Sequence, residues 1–183
     1  MNKIQSMVDH LIGVEGGYAN NPNDAGGETI WGITVAVARA NGYTGAMRDM
    51  PREEAAAIYL RQYFIAPGFD KVSAQSEAVA EELFDTGVNM GVSVASRFLQ
   101  RALNVLNRSH KTPLYPDIAP DGRLGARSIE ALGVFLRARG PDGEKVLLRM
   151  LNSLQGSKYI EITENRVQNE EFLYGWFLNR VVI

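Results

Sequence analysis

Ile4, Met7, Val8, Leu11, Ile12 and Val14 recur at helical spacing and predict an amphipathic helix of about 12 residues, ended by Gly16-Gly17. Residues 18–32 turn polar, with Pro22, Asn23-Asp24 and Gly26-Gly27, and read as a loop. The loop leads into a short hairpin through Thr29-Ile30-Trp31-Gly32-Ile33-Thr34, and 34–41 predicts a short helix ending near Gly42. Asp49-Met50-Pro51-Arg52-Glu53-Glu54 starts another: proline suits a first turn, and acids complement the helix dipole there. This helix should carry Ile58, Tyr59 and Tyr63 and stop before Pro67-Gly68.

The next helix begins near Ser76, carries Val79, Leu83, Phe84 and Val88, and stops at Gly91. A further one spans 93–107, with Val94, Phe98, Leu99, Ala102, Leu103 and Leu106 as its apolar stripe. Residues 108–123, with three prolines and Gly122, form a loop long enough to suggest a role. Then come a helix over 125–138, a turn at Gly140-Pro141-Asp142-Gly143 and a long helical stretch from 143 to 180, with Gly156 as its expected kink. The chain reads as mostly α: a helical lobe with a small β-hairpin, then a C-terminal helical lobe. Gly91 and the 108–123 loop place the boundary between 86 and 95, with domains at 1–90 and 91–183.

Composition narrows the chemistry. The chain has 183 residues, enough to bury a core without disulfides. It has no cysteine, which excludes thiolate zinc sites and cysteine nucleophiles. Two histidines, His10 and His110, give poor support to a Ser-His machine or a histidine metal site. No metal or other cofactor is expected. A net charge of −2 argues against a nucleic-acid partner, and a helical DNA-binding reading of 93–138 is the weakest alternative. No apolar run approaches the roughly 18–20 residues that span a bilayer, so membrane insertion is not expected. The N-terminal residues lack a signal-peptide h-region, so delivery to a substrate beyond the cytoplasm would need a holin or another export route.

Glu15 closes the first helix, at the negative end of its dipole and beside apolar residues. Both influences favour its protonated form, which a general acid near neutral pH requires. Asp24, nine positions on, sits in a wet, glycine-rich loop that favours its ionised form. Two carboxyls in contrasting surroundings are what glycoside hydrolysis uses. Thr29 is placed to hold a water or a sugar hydroxyl, and Tyr18 and Trp31 offer flat faces to pyranose rings. Each also has a structural explanation: a helix end, a turn former, a strand residue, a core aromatic.

The run Glu15-Gly16-Gly17-Tyr18, followed by Asp24-Ala25-Gly26-Gly27-Glu28-Thr29-Ile30-Trp31-Gly32-Ile33-Thr34, resembles the signature of glycoside hydrolase family 108. These are phage-type N-acetylmuramidases of the lysozyme-like superfamily. The order Glu, Asp, Thr is also similar to the catalytic triad of phage lysozymes, with an Asp-to-Thr gap one residue shorter. Residues 98–104, Asp121-Gly122-Arg123-Leu124-Gly125 with Ser128-Ile129-Glu130-Ala131-Leu132, and Arg166 with Phe172-Leu173-Tyr174-Gly175-Trp176, resemble the family's usual C-terminal peptidoglycan-binding domain.

The resemblance implies that Glu15 is the catalytic acid, cleaving the β-1,4 bond between N-acetylmuramic acid and N-acetylglucosamine. Asp24 would stabilise positive charge or orient water, and Thr29 would help to hold that water. It implies bacterial peptidoglycan as partner, in phage lysis or beside protein-export and toxin loci. Alternatives are a lytic transglycosylase and a non-catalytic wall-binding module.

Among the remaining residues, Asp85 and Asn89 are candidates to line the sugar cleft, or else a helix cap and hinge. Arg123 is a candidate for the carboxylates of the peptide stems. Glu53, Glu54, Glu81, Glu82, Glu170 and Glu171 read as solvated helix faces, and Tyr174 and Trp176 as core. A monomer is expected.

Overall fold

The computed structural model describes residues 3–14, 17–19, 27–107 and 112–181. Glu15 and Asp24 lie outside the described residues, as does His110, and nothing is described of the His10 side chain. The protein is mostly α and divides into two compact units, 1–66 and 67–183.

In the first unit, α1 (Lys3–Val14) presents Ile4, Val8 and Ile12 to the core, all buried, and packs on α3 (Arg52–Leu60) through Ala55, Ile58 and Tyr59. Each large apolar side chain buried there stabilises the pair by about 1.5–3 kcal/mol. Arg52 ties the helices from outside, donating to Asp9 Oδ1 at 2.8 Å and to the Asp9 carbonyl at 3.0 Å. Strands β1 (Thr29–Ile30) and β2 (Ile33–Thr34) form the hairpin, and α2 (Val35–Ala40) follows with Thr34 as its cap. Pro51 stands just before α3, where its missing N–H costs no hydrogen bond. The helix continues past Leu60 as a widened π-type turn, Arg61–Ile65, closed by Ala66 N–H to the Arg61 carbonyl at 2.8 Å.

The second unit is mostly helical, apart from the described loop at 112–125. A short helix not foreseen from the pattern, α4 (Phe69–Ser73), is held by the fully buried Phe69 and Val72. Helix α5 (Glu77–Met90) starts at the Ser76 cap, whose Oγ accepts from Val79 N–H at 3.1 Å. Helix α6 (Val92–Leu106) follows directly after Gly91. Helix α7 (Ala126–Glu164) compresses the expected turn at 140–143 into one residue, Gly140 (φ 61°, ψ −156°), a backbone conformation that glycine tolerates.

Three expectations are corrected here. The long stretch does not kink at Gly156. It breaks at 165–169, and α8 (Glu170–Arg180) folds back on α7. Asn165 and Asn169 side-chain amides donate to the Glu161 and Ile162 carbonyls at 2.7 and 3.0 Å, satisfying the helix end. Gly156 instead gives room: a Cβ there would stand 3.3 Å from the Phe177 ring. Tyr174 is not core but 79% exposed, because α8 turns that face outward, while Trp176 stacks on Tyr159 at 4.8 Å. Glu82 is not a solvated face: it accepts from Asn152 Nδ2 at 2.9 Å.

The long loop is held by one face of α6. Asn107, Asn104 and Gln100 project amides at helical spacing and substitute for a missing strand partner. Asn104 donates to the Ile118 carbonyl at 2.7 Å and accepts from Ile118 N–H at 2.8 Å. Asn107 does the same for the Tyr115 carbonyl and Leu114 N–H, at 2.7 and 2.8 Å. The buried Gln100 accepts from Gly122 N–H at 2.9 Å and donates to the Arg123 carbonyl at 2.9 Å. A loop with its backbone groups so paired can lie against the core.

Candidate active site

Of the motif singled out in the sequence, the described residues Tyr18, Thr29 and Trp31 lie at the hairpin of the first unit. Ala19 and Thr29 exchange two backbone hydrogen bonds of 2.8 Å, extending the ladder on the far side of β1 from β2. This pairing sets Tyr18 beside the hairpin. The last turn of α1, which leads to Glu15, contains no basic residue to offset the negative end of the helix.

Thr29 is half-buried, and its hydroxyl donates to the Gly27 carbonyl at 3.4 Å. Because the hydroxyl donates its proton there, its lone pairs stay available to accept from a water. Tyr18 is 37% exposed, with the Arg48 guanidinium 5.4 Å from its ring centroid. The Tyr18 side chain raises the Arg48 pKa above its ordinary value, first through its hydroxyl, so this cation persists at every accessible pH. No motif pointed to Arg48; only the fold brings it to Tyr18.

Trp31 is the strained residue of the site. It is the only non-glycine residue with positive φ (55°) among those described, and Gly32 follows at φ 73°. Two consecutive positive φ values make the two-residue turn that matches hairpin twist. A left-handed tryptophan costs about 1–2 kcal/mol relative to ordinary backbone. Two hydrogen bonds hold it: Nε1–H donates to the Met50 carbonyl at 3.0 Å, and Tyr59 O–H donates to the Trp31 carbonyl at 3.2 Å. The ring is thereby fixed in direction and partly open to solvent.

The remaining candidates lie in the second unit. Asp85 places Oδ1 2.6 Å from Arg180 Nη1 and accepts from Gln155 Nε2 on Oδ2 at 2.9 Å. Asn89, one turn later, donates back to the Asp85 carbonyl at 2.7 Å. Both carboxylate oxygens of Asp85 are thus committed inside the helical unit. Arg123 is exposed and stands apart from that pair, in the turn that Gln100 holds. Asp121 caps the turn by accepting from Arg123 N–H at 2.9 Å, and the Gln100 amide is the first cause that lowers the Asp121 pKa. Gly122 (φ 79°) is required there, since a Cβ would meet the Ser93 carbonyl at 2.7 Å. Among the described residues no cluster of three or more histidines and carboxylates is arranged to hold a metal ion.

Residues 8–91 match the family described as glycosyl hydrolase 108, and residues 94–181 match the family described as a predicted peptidoglycan domain. A solved structure, that of Brucella abortus SagA, shares the fold with a TM-score of 0.55, at 18% sequence identity, over 99% of this chain and 97% of that one. No curated protein matches the sequence. Residues 8–91 thus form a glycosyl hydrolase 108 domain and residues 94–181 a peptidoglycan domain, and the protein is a glycoside hydrolase acting on peptidoglycan.

Proposed function

We propose that the protein is an N-acetylmuramidase that cleaves the β-1,4 bond between N-acetylmuramic acid and N-acetylglucosamine. Glu15 protonates the glycosidic oxygen. Asp24 stabilises the oxocarbenium charge or orients the attacking water, which Thr29 helps to hold. Tyr18 and Trp31 face the pyranose rings, and Asp85, Asn89 and Arg123, in the second unit, are further candidates for substrate contact. The functional segments are 1–90 for the muramidase and 91–183 for wall binding.

One observation carries this reading. The Ala19–Thr29 pairing ties the exit of the cation-free end of α1 to the strand that bears Thr29. This supports reading Thr29, at the start of that hairpin, as the third member of the Glu, Asp, Thr order. The setting, host lysis or export-linked wall remodelling after release by a holin or another route, is supported by the family resemblance alone.

The test is digestion of purified sacculi by wild type and Glu15→Gln, with product analysis by mass spectrometry. Wild type should release reducing-end muropeptides, and the variant should stay folded and inactive. More than a few per cent of residual activity would refute the role of Glu15. Products lighter by one water would identify a 1,6-anhydro-forming transglycosylase instead.

A further inference from the structure

The second unit carries a groove of about 760 Å³ between α4 and the first turns of α7, and none of the candidate residues above lines it. That volume is ordinary for a small-ligand site. Its floor is built rather than incidental. Gln75 Nε2 donates to the Ile129 carbonyl at 3.0 Å, and Gly133 makes this crossing feasible, because a Cβ there would stand 2.7 Å from Gln75 Oε1.

The lining selects the ligand chemistry. No aromatic side chain lines the groove, so it has no platform for a sugar ring. Leu124, Ile129 and Leu136 give aliphatic walls suited to methyl-sized side chains. Lys71 and Arg137 stand on the rim, and neither makes an ion pair with a described residue. Glu130 is the single carboxylate of the lining. Two cations, one anion and aliphatic walls complement a short peptide with small side chains, more than one carboxylate and an amine.

We infer that this groove binds the peptide stem of peptidoglycan. The stem's carboxylates pair with Arg137 and Lys71, its amine with Glu130, and its alanine methyls lie against Leu124 and Ile129. The inference rests on peptidoglycan being the partner of this chain, and it assigns the groove to the peptide rather than the glycan.

The test uses the full chain and two probes. Wild type, Lys71→Glu, Arg137→Glu and Arg101→Glu are titrated with a synthetic stem peptide of L-Ala, γ-linked D-Glu and a diamino acid, followed by NMR. The same proteins are sedimented with intact sacculi and with glycan strands stripped of their stems by an amidase. Arg101, on the separate groove it shares with Arg97 and Lys158, controls for net charge.

Stem peptide should shift the signals of Gln75, Ile129 and Gly133. Each groove variant should weaken peptide binding about tenfold, the loss of one charge-assisted contact, while Arg101→Glu binds normally. Equal weakening by Arg101→Glu, or peptide-induced shifts confined to residues away from the groove, would overturn the inference. Sedimentation with sacculi but no response to the peptide would overturn this inference alone. Failure to sediment with any sacculi would overturn the wall-binding reading as well.

Discussion

Arg180 Nη1 lies 2.6 Å from Asp85 Oδ1, across 95 residues of chain. With Gln155 on the other oxygen, this ion pair ties α8 and α7 to α5. The carboxylate is mostly covered, at 21% side-chain exposure. Removing one partner strands the other in a poorly solvated place. Arg180→Ala should destabilise the protein by about 2–3 kcal/mol in urea unfolding. Asp85→Asn combined with Arg180→Gln should cost less than the two single changes added together, since no charge is left unpaired.

The same contacts set a limit on truncation. Helix α5 falls within the hydrolase match, but it packs on α4, α6 and α7 in the second unit and buries Leu83 and Phe84 there. A chain ended at residue 91 keeps every catalytic candidate and loses the cover for those side chains. It should aggregate, or lose amide protection along α5 in hydrogen exchange, whereas a chain cut after Ala66 should leave no such apolar helix behind.

The α6 amides predict a graded series. Asn104→Ala removes both partners of Ile118, whose side chain is 8% exposed, and should cost about 2–3 kcal/mol. Asn104→Asp keeps the acceptor and loses the donor, so its cost should be intermediate. Limited proteolysis should then cut within 112–125, and far-ultraviolet circular dichroism should stay near that of wild type.

Two tyrosines should respond oppositely to loss of their hydroxyls. Tyr115 O–H donates to the Leu103 carbonyl at 2.8 Å, while the Tyr159 hydroxyl is buried without a hydrogen-bond partner. Tyr115→Phe should cost about 1 kcal/mol, and Tyr159→Phe should be neutral or slightly stabilising. Burial pushes both phenols up to about 12, with the nearby Asp117 and Asp85 charges adding to it. A folded-state pKa above the unfolded value near 10 means that the stability is present below pH 10 and lost as pH rises toward 12. The double Phe variant should therefore show a shallower alkaline unfolding transition, read by thermal melts across that window.

Trp31 separates strain from chemistry. Trp31→Gly relaxes the positive φ but loses the bond to Met50 and the covered part of the ring, so it should destabilise only modestly, by about 1–2 kcal/mol, and stay folded. Hydrolysis of sacculi should nonetheless fall at least about tenfold, because the ring is gone. Trp31→Phe keeps a flat face and should retain most of the activity while melting earlier. If Trp31→Gly hydrolyses like wild type, the ring does not serve the substrate.

Local chemistry determined much of this protein. Ser76, Thr34 and Gly91 set helix ends through their own backbone and side-chain preferences, so α2, α5 and α6 were legible. The hairpin followed from alternation around Trp31-Gly32, and the Glu15, Asp24 and Thr29 order pointed to the family because the motif is contiguous. The rest depended on partners far away in the chain. Phe177 of α8 packs over Gly156, Asp85 is claimed by Arg180, and Gln75 crosses to the Ile129 carbonyl. Neighbouring residues specify turns and caps through short-range sterics and hydrogen bonds. Which helical faces meet is settled by collective burial, which no single stretch of chain encodes.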